Sequence, residues 1–186
     1  MQNIIVSDIF GKTDALDELA CNFSTLTEIH DPYDAKYMAF TSEQQAYDFF
    51  TKHSSLEQYS ESLLKRIQSI KSPVNLIGFS VGASAIWKVS NNPIIHNIEN
   101  GYCYYGSQIR NHVDIEPLFP INLIFPTLES HFSVTALMNN LRDKNNITIR
   151  QVPFLHGFMN ECSVNYNQKA CRHEILALSK MSFNQP

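Results

Sequence analysis

Short, unbroken apolar runs alternate along this chain with longer stretches whose apolar residues recur at helical spacing. Residues 3–6 (Asn-Ile-Ile-Val) read as a buried strand, and a turn at 8–12 follows. Thr13 or Asp14 can then cap a helix carrying Leu16, Leu19 and Ala20. A second strand at 26–30 is closed by Asp31-Pro32. Residues 43–52 and 56–71 both show helical periodicity, the latter with Leu63, Leu64, Ile67 and Ile70 on one stripe, until Pro73 breaks it before a strand at 74–77. Beyond a glycine-flanked turn at 78–82, a helix runs through Val89 to the breaker Asn91-Asn92-Pro93. Strands around 101–105, 121–125 and 147–152 and helices at 134–143 and about 168–180 complete the series. Uninterrupted apolar strands separated by helix-length segments predict an α/β fold. Its sheet is mostly parallel, with six strands and helices on both faces. No linker, repeat or shift in composition divides residues 1–186, which predicts one domain.

Composition narrows the partners. With 44% hydrophobic and 17% charged residues, the chain has the balance of a globular protein. A net charge of −4 and no Lys/Arg cluster argue against nucleic acid and against an anionic membrane surface. The first residues lack the basic and apolar regions of a signal peptide, and no apolar run approaches the roughly 18 residues of a bilayer span, so a cytoplasmic location is expected. Cys21, Cys103, Cys162 and Cys171 are scattered and read as free thiols, and the seven histidines show no zinc-ligand spacing. No metal or organic cofactor is expected.

Candidate chemistry begins at Asn75-Leu76-Ile77-Gly78-Phe79-Ser80-Val81-Gly82-Ala83. A strand runs into Gly-x-Ser-x-Gly, and a small-residue helix follows at once. That order suits a tight elbow: two glycines remove the Cβ atoms that would clash, and Ser80 projects from the apex. In open parallel sheets functional groups gather beyond the carboxyl ends of strands, where Ser80 lies. A nucleophilic serine needs a base and an orienting acid, expected in the order Ser, acid, His. Glu129 stands four residues past the 121–125 strand, and His156 four residues past Val152. His156 would accept the Ser80 proton and return it to the leaving group, while Glu129 would hold the imidazole tautomer. Asp114 and Glu116 also follow a strand and stay open as alternatives for the acid. The Val81 N–H would supply half of an oxyanion hole, and Ile9 or Phe10 the other half. Cys103, in Gly101-Tyr102-Cys103-Tyr104-Tyr105-Gly106, lacks the second elbow glycine and a following helix, and reads as a buried thiol.

Four stretches together resemble the dienelactone hydrolase family of α/β-hydrolases. They are Val6-Ser7-Asp8-Ile9-Phe10-Gly11, the elbow, Tyr104-Tyr105-Gly106-Ser107 with Arg110, and His156-Gly157-Phe158. The resemblance implies an α/β-hydrolase fold, Ser80 as nucleophile, Glu129 as acid, His156 as base, and oxyanion N–H groups on Ile9 and Val81. Little of the 186 residues remains for a lid, so no lid domain is expected. The family's founding members carry cysteine at the Ser80 position and usually Asp at that of Glu129. Serine here points to an ordinary small-molecule ester or thioester as substrate. Arg110 is a candidate fork for a substrate carboxylate, and Tyr105, His131, Phe10, Phe158 and Phe132 are candidates to line the cleft. A catalytically silent binding protein of this fold and an acyltransferase using a non-water acceptor are the alternatives. The oligomeric state is left open.

Overall fold

The structure is a computed structural model and describes residues 1–181. Strands β1 (Gln2–Val6), β2 (Thr27–His30), β3 (Val74–Phe79), β4 (Ile98–Tyr104), β5 (Ile121–Phe125) and β6 (Ile147–Gln151) form one sheet in the order β2-β1-β3-β4-β5-β6. Every pairing is parallel. Helices α1 (Asp14–Ala20), α2 (Glu43–His53), α3 (Leu56–Gln68), α4 (Val81–Val89), α5 (Val134–Leu141) and α6 (Gln168–Met181) connect and cover the strands. No helix among the described residues is long and apolar enough to cross a membrane.

Strand side chains alternate between two buried faces, which is why the runs read as continuously apolar. Ile4, Val6, Leu76, Leu123 and Phe125 pack with α2, α3, α4 and α5. Ile5, Ile77, Phe79 and Ile124 turn the other way and pack with α1 and α6. The chain leaves β1 toward β2, then crosses back past β1 to build β3 to β6. The order therefore reverses between β1 and β3, and in open parallel sheets that reversal opens a crevice beyond the strand ends. Val6 of β1 pairs with Gly78 of β3, so the loops after these two strands leave the sheet side by side.

Several boundaries differ from the sequence expectation for local reasons. β3 runs on through Gly78 and Phe79, because their ladder with Cys103 and Tyr104 outlasts the apolar run. β4 begins three residues before Gly101, at Ile98. The helix expected to reach residue 71 stops at Gln68, where the Ser69 N–H closes onto the Lys65 and Arg66 carbonyls. The Asn97 amide then draws the Ile70 and Ser72 carbonyls toward β3. The long loop after β4 contains a short 3-10 helix, Ser107–Asn111.

Candidate active site

Helices α1, α2, α3 and α5 each open on a Ser or Thr whose hydroxyl accepts a main-chain N–H of the first turn. At α4 the N-cap residue is Ser80, and its side chain makes no capping bond. Instead Ser80 Oγ lies 2.9 Å from His156 Nε2. The Ser80 backbone sits at φ 51°, ψ −112°, a conformation costly for a residue with a Cβ, and its N–H is bonded to the Tyr104 carbonyl at 2.9 Å. The glycines allow the turn. A Cβ on Gly78 would stand 2.7 Å from the Ala83 nitrogen, and one on Gly82 only 2.2 Å from the Val6 carbonyl oxygen.

β5 and β6 are neighbours in register, Phe125 beside Gln151, and the loops that follow remain tied together. The Thr127 N–H donates to the Phe154 carbonyl at 2.8 Å, and the Gln151 amide bridges the Pro126 and Thr127 carbonyls. This brings Glu129 Oε1 to 2.7 Å from His156 Nδ1. The carboxylate side chain is 10% exposed and the imidazole 24%. Gly157, at φ +80°, carries the histidine loop through a left-handed turn in which a Cβ would meet Ser163 Oγ at 2.5 Å. The Asn165 amide holds the His156 carbonyl at 2.9 Å. Of the rival acids, Glu116 is paired with Lys144 and Asp114 is solvent-exposed.

The loop after β1 is held by its own side chains. Asp8 Oδ1 accepts the Phe10 N–H at 2.9 Å, the Tyr33 hydroxyl donates to the Ile9 carbonyl at 2.7 Å, and the Gly11 N–H bonds the Asp8 carbonyl. These bonds use the Phe10 donor, which corrects its candidacy for the oxyanion hole. The Ile9 N–H and the Val81 N–H carry no hydrogen bond among the described residues. Tyr59, fully buried, reaches the Ser7 and His30 carbonyls at 3.1 and 2.9 Å and anchors the ends of β1 and β2 beneath this loop.

The remaining candidates divide. Tyr105 is buried, with its ring 4.9 Å from that of His156. Phe158 has no exposed surface and packs against Tyr105 and Phe154, so it backs the histidine loop instead of lining an open cleft. Phe10 is likewise buried. His131 is exposed, with no hydrogen bond or ring contact to the other candidates. Arg110 donates to the Ser107 carbonyl at 2.6 Å and stacks 5.0 Å above the half-buried Phe132 ring. Cys103 is buried in β4, and burial pushes its thiol well above the range in which it ionises.

Spacing alone does not reveal Asn160, whose amide donates to Asp8 Oδ2 at 2.5 Å and ties the histidine loop to the β1 loop across 152 residues. The sequence expectation stopped at a turn over 8–12; the structure shows Asp8 closing an Asx turn, its carboxylate accepting the N–H two residues on. Burial pushes the Asp8 carboxyl up to about 6, against the pull of the Phe10 N–H, Asn160 and His156. An exposed aspartate in the unfolded chain titrates at about 3.9, so the native state holds this proton more tightly and stability falls as pH rises from about 4 through 6. The stability difference between Asp8→Asn and the parent should move by about 2 kcal/mol in the variant's favour between about pH 4.5 and 7.5. Urea denaturation at the two pH values measures it, and an unchanged difference would refute a buried, high-titrating carboxyl.

Serine, imidazole and carboxylate in this hydrogen-bonded line, at the reversal point of a parallel sheet, invite comparison with known proteins. P91, a dienelactone hydrolase-like promiscuous phosphotriesterase from metagenomic libraries, superposes with a TM-score of 0.66 at 14% identity, over 97% of this chain and 84% of that one. Mouse alpha/beta hydrolase domain-containing protein 10 gives a TM-score of 0.66 at 7% identity, over 97% of this chain and 89% of its own. The chain has the α/β-hydrolase fold. A lipase-esterase related protein from Clostridium acetobutylicum shares it, with a TM-score of 0.62 at 10% identity over 95% and 93% of the two chains. Among curated sequences, the uncharacterized protein YczH of Bacillus subtilis is 38% identical over 130 residues, 68% of this chain. The match spans 62% of YczH's own length. No family model matches the chain.

Proposed function

We propose that this α/β-hydrolase-fold chain is a serine hydrolase of the dienelactone hydrolase type, cleaving a small ester or thioester through an acyl-enzyme. The observation that supports it most is the Ser80 hydroxyl, which forgoes its cap and sits 2.9 Å from an imidazole whose other nitrogen meets a carboxylate at 2.7 Å. With its proton on Nδ1, His156 donates to Glu129 and accepts from Ser80, the tautomer a general base requires. As Ser80 Oγ attacks the carbonyl carbon, its proton passes to Nε2 and negative charge builds on the carbonyl oxygen. The free N–H groups of Ile9 and Val81 then stabilise that oxygen. His156 returns the proton to the leaving alcohol or thiol, and a water activated by the same nitrogen releases the acid. Arg110, oriented by the Ser107 carbonyl and Phe132, is the group proposed to meet a carboxylate on the substrate.

Incubation with a fluorophosphonate probe, followed by peptide mass spectrometry, should place the adduct on Ser80 alone, with turnover of short-chain p-nitrophenyl esters in the unlabelled protein. An adduct elsewhere would overturn the nucleophile. Labelling of Ser80 without turnover of any acyl substrate would favour a binding protein of this fold.

A further inference from the structure

A cavity of about 420 Å3 lies on the α1 and α6 face of the sheet, and none of Ser80, His156 and Glu129 lines it. Its size falls in the rough 300–1,000 Å3 range of small-molecule sites. Leu16 and Leu19 of α1 form one wall, Cys171 and Ile175 of α6 the other, and Phe79 and Tyr105 the floor. Its polar lining includes Asp8, which is buried, and Asn160. At the rim, Glu18 and Glu161 outnumber Arg172.

Tyr105 sets this cavity apart from ordinary loose packing. Continued extension past β4 would turn the next residue to the opposite face, yet Tyr105, the first residue after the strand, packs on the same α1 and α6 side as Tyr104. A left-handed backbone at Tyr105, φ 42°, breaks the alternation at a cost that a bulky side chain seldom bears. The residue is 1% exposed, and its hydroxyl lies beside the Met159 main chain without a hydrogen bond of normal geometry among the described residues. A buried hydroxyl left unpaired costs about 1–3 kcal/mol, which a ligand would recover. Asp8, on the same cavity, accepts one bond at each oxygen and has lone pairs to spare.

We propose that this cavity binds a small neutral alcohol, aliphatic or phenolic, at a site separate from Ser80. A ligand hydroxyl can donate to Asp8 and, by a local shift of the packing that buries the Tyr105 hydroxyl, accept from Tyr105, while the ligand's hydrocarbon body fills the space between Leu19 and Ile175. A carboxylate of the same length would face Asp8, Glu18 and Glu161 and is disfavoured. The site does not rest on the role of Ser80.

The test uses 1-octanol and octanoate as probes at about pH 7.5, followed by saturation-transfer and isotope-filtered NMR. Saturable binding of one octanol per chain is expected, about tenfold tighter than octanoate, with contacts to the Leu19 and Met159 methyls. Ser80→Ala should bind equally well. Leu19→Trp and, separately, Ile175→Trp should each weaken octanol by about tenfold or more. Tyr105→Phe should weaken it about fivefold, the value of one neutral hydrogen bond. Absence of saturable binding, equal affinity for octanoate, or contacts mapping to other residues would overturn the proposal. If one tryptophan variant fails to fold, the other and the contact map in the parent protein decide.

Discussion

Ser80→Ala is expected to lower kcat/KM toward p-nitrophenyl acetate by about 10⁴–10⁶, the size seen when a nucleophile is deleted from a working triad. The structure predicts that this loss is chemical and not a consequence of unfolding. Ser80 contributes no cap bond to α4, and its N–H remains on the Tyr104 carbonyl in the variant. Stability should therefore stay within about 0.5 kcal/mol of the parent. His156→Ala should cost about as much, and the double variant no more than either single one, because in the proposed mechanism hydroxyl and imidazole act on one proton. Glu129→Gln keeps the side-chain length but offers Nδ1 a group that can present either hydrogen or oxygen. A loss of about 10⁴ or less is expected there. Activity of the Ser80→Ala protein within about tenfold of the parent would remove the serine from the mechanism.

The main lines of this arrangement were legible because several physical signals agreed. Strand-forming runs, helical stripes and Gly-x-Ser-x-Gly each have a local cause, so the sheet and the elbow follow from short windows of sequence. Ser80, Glu129 and His156 could be paired because strand order places all three beyond carboxyl ends. What remained hidden depends on side-chain direction. Phe158 and His131 look equally able to line a cleft in sequence, yet one is sealed under the histidine loop and the other faces solvent. Phe10 and Ile9 are adjacent donors, and only the Asp8 carboxylate decides which is consumed. The Asp8–Asn160 bond joins positions 152 residues apart, beyond any local pattern. The reversed face of Tyr105 comes from a backbone angle that no propensity announces.

Gly82→Ala should produce the largest loss of stability of any single methyl addition near the site. The new Cβ would stand 2.2 Å from the Val6 carbonyl oxygen and 2.4 Å from that of Ser7, and both are main-chain atoms. Neither can retreat cheaply. Val6 lies in β1 between β2 and β3, the Ser7 N–H is bonded to the His30 carbonyl at 3.0 Å, and Tyr59 bonds the Ser7 carbonyl from below. α4 must move instead, and it is buried against α3 and the sheet, with Trp87 held to the His112 carbonyl at 2.8 Å. A destabilisation of about 4 kcal/mol or more is expected, measured by urea denaturation. Ser84→Ala, in the same helix, removes only a back-bond to the Ser80 carbonyl and should cost about 1 kcal/mol. Whatever folded Gly82→Ala protein survives should also be slow. A shift of about 1 Å in α4 carries the Val81 N–H away from the Ile9 N–H, and such a misplacement lowers turnover about a hundredfold. A cost below about 1 kcal/mol would show that α4 does not press on β1 as described, and the proposed joint role of the Ile9 and Val81 N–H groups would lose its support.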